Sequence, residues 1–250
     1  IPAARGRLRP LMRQAERALD WARMGSAEIL ARIRAADGFP GVADALFEQP
    51  CHLFDAHPGR RPAGHEEAAP GTLLARRDGA LLRATADGAV WIGHVRRADS
   101  PHPFKLPATL AFAAEVAEAT QAAALPELPA TLMAAASADP AALGYRELAY
   151  RETDDGALGV LSFEFYNGAM STAQCRRLLT AIAFARGRPT RVLVLDGGAG
   201  FWSNGIHLNT IEAAPSPADE SWANIEAIDD VCLALLGLTD RLTVAALRRG

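Results

Sequence analysis

Two hundred and fifty residues, half of them hydrophobic, suffice for one large domain or two modest ones with a sizeable core. A formal charge of -3, from 26 basic and 29 acidic side chains, sets up no field that would gather nucleic acid or an anionic membrane. Three widely spaced cysteines, Cys51, Cys175 and Cys232, argue against a disulfide scaffold and fit a reducing cytoplasm, and the most apolar run, 108–114, meets Glu115 before it could span a bilayer.

The first 34 residues carry eight arginines against Glu16, Asp20 and Glu28, a local +5 that reads as a solvated helix face because no aromatics interleave with it. Two helical patterns follow one another: Leu11, Ala15, Ala18, Leu19 and Trp21, then Ile29, Leu30 and Ile33, with Ser26 as the N-cap and Gly38 and Pro40-Gly41 as the stop. From Cys51 to Arg97 short strands alternate with turns. The runs 71–76, 80–85 and 89–95, separated by Asp78-Gly79 and Asp87-Gly88, carry the hairpin signal of a small antiparallel barrel or sheet. Residues 55–70, rich in Pro, Gly, His and Glu, read as a surface loop. The Ala- and Pro-rich stretch 112–144 shows little pattern and reads as a linker.

A new cycle begins beyond it. Strands are expected over 147–153 and 158–165, around an Asp154-Asp155-Gly156 turn. Ser171-Thr-Ala-Gln174 is a capping box opening a helix with Cys175, Leu178, Leu179 and Ile182 on its apolar face. Residues 191–196 form a buried type of strand. Ser216-Pro217 opens a second helix with Trp222, Ile225, Ile228, Cys232 and Leu235 as its apolar positions, and 242–247 begins another strand. Strand, helix, strand, helix, strand with short joins is repeated βαβ, hence a parallel sheet.

The loop 197–209 is the densest cluster of glycine and polar residues in the chain, and it sits at the carboxyl end of a parallel strand, where open α/β sheets bind ligands. It is neither a dinucleotide fingerprint, lacking the third glycine and an immediate helix, nor a nucleophile elbow, since Phe201-Trp202 precedes Ser203. Its spacing alone leaves a tight structural loop as an equal reading. Cys51, His52, His57 and His65 match no zinc-ligand spacing, so no metal is expected. His94 and His102 read as surface groups, and Arg96-Arg97 as a solvated strand end.

The segment Phe201-Trp-Ser-Asn-Gly-Ile-His-Leu208 resembles the Phe-Ser-Ala-Gly-Ala-Asp-Leu loop of the crotonase (enoyl-CoA hydratase/isomerase) superfamily, with Trp202 inserted and His207 where Asp is usual. Phe165-Tyr-Asn-Gly-Ala-Met-Ser-Thr172 and Pro217-Ala-Asp-Glu-Ser-Trp222, together with that loop, resemble the HypX/HoxX-type hydrogenase maturation proteins. The first half agrees: Arg17-Ala-Leu-Asp-Trp21, residues 33–42 and Phe104-Lys-Leu-Pro107 resemble a formyltransferase C-terminal domain. The resemblance implies a mixed α/β and β fold. A small β-barrel-like domain over 1–111 and a linker over 112–144 would precede a partial crotonase-like βαβ domain over 145–250. It also implies a piece of a longer protein, since the chain opens on Ile1 and ends at Gly250. The formyl-transfer residues and tetrahydrofolate site would lie before Ile1, and a second oxyanion donor and acidic catalytic residues after Gly250.

The implied chemistry is transfer of a formyl group from formyl-tetrahydrofolate to coenzyme A, then release of CO for the NiFe centre of hydrogenase. The backbone N–H of Ile206 would polarise the formyl carbonyl, Tyr166 and His207 would handle protons near the thioester sulfur, and Ser203, Asn204, Gly205 and Leu208 would line the CoA site. Partners would be a small acyl-CoA and other maturation proteins, in the cytoplasm, with neither nucleic acid nor membrane. An acyl-CoA hydratase or isomerase fused to a formyltransferase-like module, and a non-catalytic CoA-binding scaffold or truncated product, are the competing readings.

Overall fold

The computed structural model describes residues 9–100, 104–130, 132, 144–153 and 155–247. Arg5, Arg7, His102, Asp154 and, of the 112–144 stretch, residues 131 and 133–143 lie outside them.

Two open sheets organise the chain. The first is antiparallel and six-stranded: β1 (Val42–Leu46), β2 (Gln49–Gly59), β3 (Leu73–Arg77), β4 (Ala80–Ala84), β5 (Ala89–Arg97) and the short β6 (Leu106–Pro107). Its order is β1-β2-β5-β4-β3, with β6 on β5, and no pairing closes it into a barrel. Asp78 and Gly79 both take positive φ, as a two-residue hairpin between β3 and β4 requires. Side-chain alternation gives the sheet two apolar faces. Leu53, Leu81, Ile92 and Val95 meet helix α1 (Ser26–Ala35), whereas Leu74, Leu82 and Trp91 meet Tyr145 from the second half.

Sequence and structure differ here in three places. Strand β2 runs to Gly59, so the surface loop begins five residues later than the composition suggests; cross-strand pairing from His57–Trp91 to Gly59–Ala89 holds it. The first helical pattern forms only a 3-10 turn at Gln14–Arg17. Beyond it the chain follows the sheet, so that Trp21 can donate to Asp44 at 2.7 Å under the Arg83 guanidinium. At α1 the cap is Gly25, and Asp87 from the β4–β5 turn accepts both the N–H and the hydroxyl of Ser26.

Helix α2 (Ala108–Ala111) ends just before the 112–144 stretch and α3 (Ala113–Gln121) lies within it, the two flanking Phe112, and Phe112, Val116 and Leu125 complete the first core. The chain then adds to the edge of β3, where Arg76 N–H donates to Pro126 O and Leu128 N–H to Arg76 O. It next touches the edge of the second sheet, where Tyr150 N–H donates to Leu132 O.

The second sheet has the order β10-β9-β8-β7: β7 (Leu148–Glu152) is antiparallel to β8 (Leu158–Phe163), which is parallel to β9 (Val192–Gly197), itself parallel to β10 (Leu242–Ala246). The crossovers are α4 (Thr172–Arg186), opened by the reciprocal Ser171–Gln174 capping box, and α6 (Pro217–Leu236), capped by Ser216. A short α5 (Leu208–Glu212) precedes α6. Cys175, Leu178 and Ile182 are buried as the period requires. On α6 the buried residues are instead Asn224, Ala227 and Val231, small enough for close packing on α4, and Trp222 is 65% exposed.

Candidate functional site

The loop after β9 is pinned to the 3-10 turn Tyr166–Gly168 that follows β8. Asn204 N–H donates to Gly168 O at 2.7 Å, and Met170 N–H to Gly205 O at 2.9 Å. Asn167 and Gly168 both adopt positive φ, and a Cβ on Gly168 would lie 2.7 Å from Phe201 Cβ, so this close approach needs glycine. Trp202 turns inward: its indole donates to Leu195 O and sits edge-on to Phe163, plugging the core beneath the loop.

Ser203, Asn204 and Leu208 are exposed on the outer side of this loop, and Gly205 takes a φ of 78° with open space around it. The N–H of half-buried Ile206 has no acceptor among the described residues. His207 is buried and caps α5, its Nδ1 accepting from Thr210 N–H at 3.3 Å. Its proton therefore sits on Nε2, making the ring a donor there. Burial first, and then His94, lowers its pKa from 6.5 to about 4, so the ring is neutral at physiological pH.

Tyr166 faces the first sheet. Its ring stacks on His94 at 4.4 Å, and the His94 ring lies parallel to that of His207 at 6.2 Å. The Tyr166 hydroxyl donates to Asp37 O at 3.3 Å and accepts from Lys105 Nζ at 3.2 Å. Burial above all, then the charges of Asp37 and Asp55, raises the phenol well above its ordinary value, so it keeps its proton.

Beneath Tyr166 lies a cluster that the sequence did not reveal. Asp55 adopts φ 55° in the middle of β2, and its carboxylate reaches over Gly93 to the Nδ1 of His94 at 2.8 Å and the Nε2 of His57 at 2.6 Å. Burial alone would raise this carboxyl; the hydrogen bonds and charges of the two histidines outweigh it and hold it far below the carboxylate range. An ionised Asp55 accepts only, so His94 donates through Nδ1, and its buried Nε2 has no partner among the described residues. His94, read from sequence as a surface group, is 1% exposed. Asn224, fully buried on α6, is a second omission: it accepts from His207 N–H and donates to Met170 O, bracing the loop from behind.

Between the first lobe, built on the antiparallel sheet, and the second, built on the sheet β10-β9-β8-β7, a cleft of about 380 Å³ is lined by Arg34, Asp37, Asp55, His57, Tyr166 and the glycines 198 and 200. The arrangement brings Tyr166 and His207 to the His94 ring, 4.4 and 6.2 Å away, and adds Asp55 and Lys105, while residues 203–208 do not line this cleft. Cys51 is packed in the first core, where burial pushes its thiol up to about 12. Among the described residues no three His, Cys, Asp or Glu side chains gather as a metal would need, and no helix is long and apolar enough to cross a membrane.

Residues 11–102 match the formyl transferase C-terminal domain family. The chain is 49% identical over 242 residues to the hydrogenase maturation factor HoxX of Bradyrhizobium diazoefficiens, covering 97% of this chain and 38% of that protein. It superposes on a crystal structure of a HypX variant from Aquifex aeolicus with a TM-score of 0.84 at 40% identity, covering 96% of this chain and 41% of that one. It superposes on HypX from the same organism in complex with tetrahydrofolic acid with a TM-score of 0.83, again at 40% identity and covering 96% of this chain and 40% of that one. The chain thus spans about two fifths of the length of these relatives.

Proposed function

We propose that this chain, a homologue of the HoxX and HypX hydrogenase maturation factors, supplies the junction and part of the acyl-thioester site of an enzyme that makes CO from formyl-tetrahydrofolate by way of formyl-CoA. The observation that carries this reading is the pinned loop after β9. It offers an uncommitted backbone donor at Ile206 and is pinned to the turn that carries a tyrosine whose surroundings keep it protonated. The HypX complex with tetrahydrofolic acid supports folate as the formyl carrier. In this reading the folate meets a domain outside these 250 residues.

Coenzyme A would present the formyl group as a thioester, an activated acyl carbon with a good leaving group. The exposed Ser203, Asn204, Gly205 and Leu208 suit its binding, since they leave the outer side of the loop open. The N–H of Ile206 would donate to the formyl oxygen and polarise the carbonyl. One such donor contributes on the order of a 100- to 1,000-fold rate effect. The carbon–sulfur bond then breaks with its electron pair remaining on sulfur. The formyl hydrogen passes as a proton to the phenolate left when Tyr166 has protonated sulfur, so that a formyl thioester becomes CO and a thiol with no oxidant or reductant. Tyr166 would deliver the proton to sulfur. His207, neutral and protonated on Nε2, would add a second hydrogen bond from the loop.

The test uses a protein of the relatives' length that carries this chain, given formyl-tetrahydrofolate and CoA, with CO trapped by reduced myoglobin. Stoichiometric CO is expected, and Ile206→Pro, which deletes the donor, should slow its release about 100- to 1,000-fold while the thermal midpoint stays within a few degrees. No CO from the parent protein refutes the reaction. Parental CO from the proline variant refutes the role of Ile206.

A further inference from the structure

We propose that Lys105, on the first lobe, is the positioning residue of Tyr166 on the second, so that the proton donor is set only when the two lobes are docked. The inference rests on the reading of Tyr166 as that donor.

Lys105 is the one lysine among 26 basic residues. Everywhere else the chain meets its need for a cation with arginine, and the surroundings of Lys105 show why arginine would not serve there. The ammonium has three protons in a compact tetrahedral head, whereas a guanidinium is a planar fork. Three oxygens receive them: Asp37 O at 2.9 Å, Gly38 O at 2.8 Å and the Tyr166 hydroxyl at 3.2 Å. Asp37 and Gly38 lie just past the end of α1, where the helix dipole is negative and favours a cation. The Nζ also lies 4.0 Å from the centre of the Phe54 ring, so aromatic and carbonyl groups stand in for water.

The same residue holds the far side of the site. Its backbone carbonyl accepts from Asn209 Nδ2 at 3.0 Å, in the first turn of α5 and two residues beyond His207. One short segment of the first lobe thereby fixes both the Tyr166 turn and the end of the oxyanion loop. His94, held by Asp55 through Nδ1, supplies the floor on which the Tyr166 ring lies. The phenol proton points to the Asp37 carbonyl in this state. With Lys105 occupying a lone pair of the oxygen, the hydroxyl has one direction left in which to turn its proton toward a ligand. The ammonium is also in place to neutralise the oxygen once that proton has gone.

This chain carries Tyr145, Tyr150 and Tyr166; in a protein of the relatives' length labelled with 13Cζ-tyrosine, Tyr166→Phe assigns the resonance in question, and Tyr145→Phe and Tyr150→Phe assign the other two. Lys105→Met should move the Tyr166 resonance further than the other two. In the CO-release assay it should lower kcat about 10- to 100-fold, the cost of a misplaced reacting group, and leave KM within twofold because Lys105 does not touch the substrate. In a Tyr166→Phe background the same change should cost less than twofold. Arg77→Met is the control for general loosening, since Arg77 also crosses the junction, donating to Leu128 O and Tyr145 O. It should leave the Tyr166 resonance and kcat unchanged. An unmoved Tyr166 resonance in Lys105→Met, or an equal response in Arg77→Met, overturns the inference. A parent protein that makes no CO removes the kinetic arm and the functional reading together, and the resonance then decides the Lys105–Tyr166 contact alone.

Discussion

At the scale of single residues, Gly93 is the clearest case of a position set by its neighbour. A Cβ built on Gly93 would lie 2.0 Å from Asp55 Oδ2, a clash that no real side chain tolerates. The carboxylate has little freedom to yield. Its backbone is held at φ 55° with its N–H donating to Asp37 Oδ1, and both oxygens are engaged by histidines. Gly93→Ala is therefore expected to break at least one charge-assisted bond and lower stability by about 2–4 kcal/mol. Urea unfolding measures this, and a loss under 0.5 kcal/mol would show that the carboxylate is not held as described. None of this cluster was legible from sequence. A glycine in a strand and an aspartate two residues before a histidine are common, and only the β2–β5 register brings Asp55 and His94 together from 39 positions apart.

At the scale of elements, local rules held where local chemistry decides. The Asp78-Gly79 hairpin, the Ser171–Gln174 box and the Ser216 cap each satisfy backbone groups within four residues, so the pattern suffices to find them. Rules based on apolar period did less well. On α6 the largest apolar residues point outward, and the packed face carries Asn224, Ala227 and Val231. Periodicity weighs side-chain size, whereas a close helix–helix crossing selects small residues, and a buried asparagine with both amide atoms paired is invisible to it. Asn224→Ala should leave His207 N–H and Met170 O without their side-chain partner and cost about 2–4 kcal/mol. Amide hydrogen exchange should rise over 203–210 before it rises over α4. Uniform acceleration across the second lobe would instead mean that Asn224 serves only the core. The loop of the candidate site was legible, because glycine density at the end of a buried strand marks it. Its bracing from α6 and from Lys105 was not, because each partner lies on another element.

Over the whole molecule, two buried groups make stability respond to pH in opposite senses. Glu147 sits at the junction between Asp78 of the β3–β4 turn and Gln174 and Arg177 of α4. Burial is the largest influence on it; Arg177 works against burial and Asp78 with it, and the carboxyl rises from 4.5 to about 7. Between pH 4.5 and 7 the folded state therefore binds more protons at this site than the unfolded one. The stability contributed is present in full below 4.5 and is lost as pH rises to 7. His207 works the other way. Its folded value of about 4 lies below 6.5, so the unfolded state binds more protons between those limits, and stability grows as pH rises through them. Each spans roughly 3 kcal/mol, and over about pH 4.5 to 6.5 the two largely offset. Comparing parent and variant across pH separates them. The advantage of the parent over Glu147→Gln should shrink by about 3 kcal/mol from pH 4.5 to 7, and its advantage over His207→Asn should grow by a similar amount from pH 4 to 6.5. Denaturant midpoints at half-unit intervals provide the measurement. A parallel offset with no pH dependence in the first pair would mean that Arg177 keeps Glu147 ionised throughout, leaving the junction fastened by a permanent ion pair.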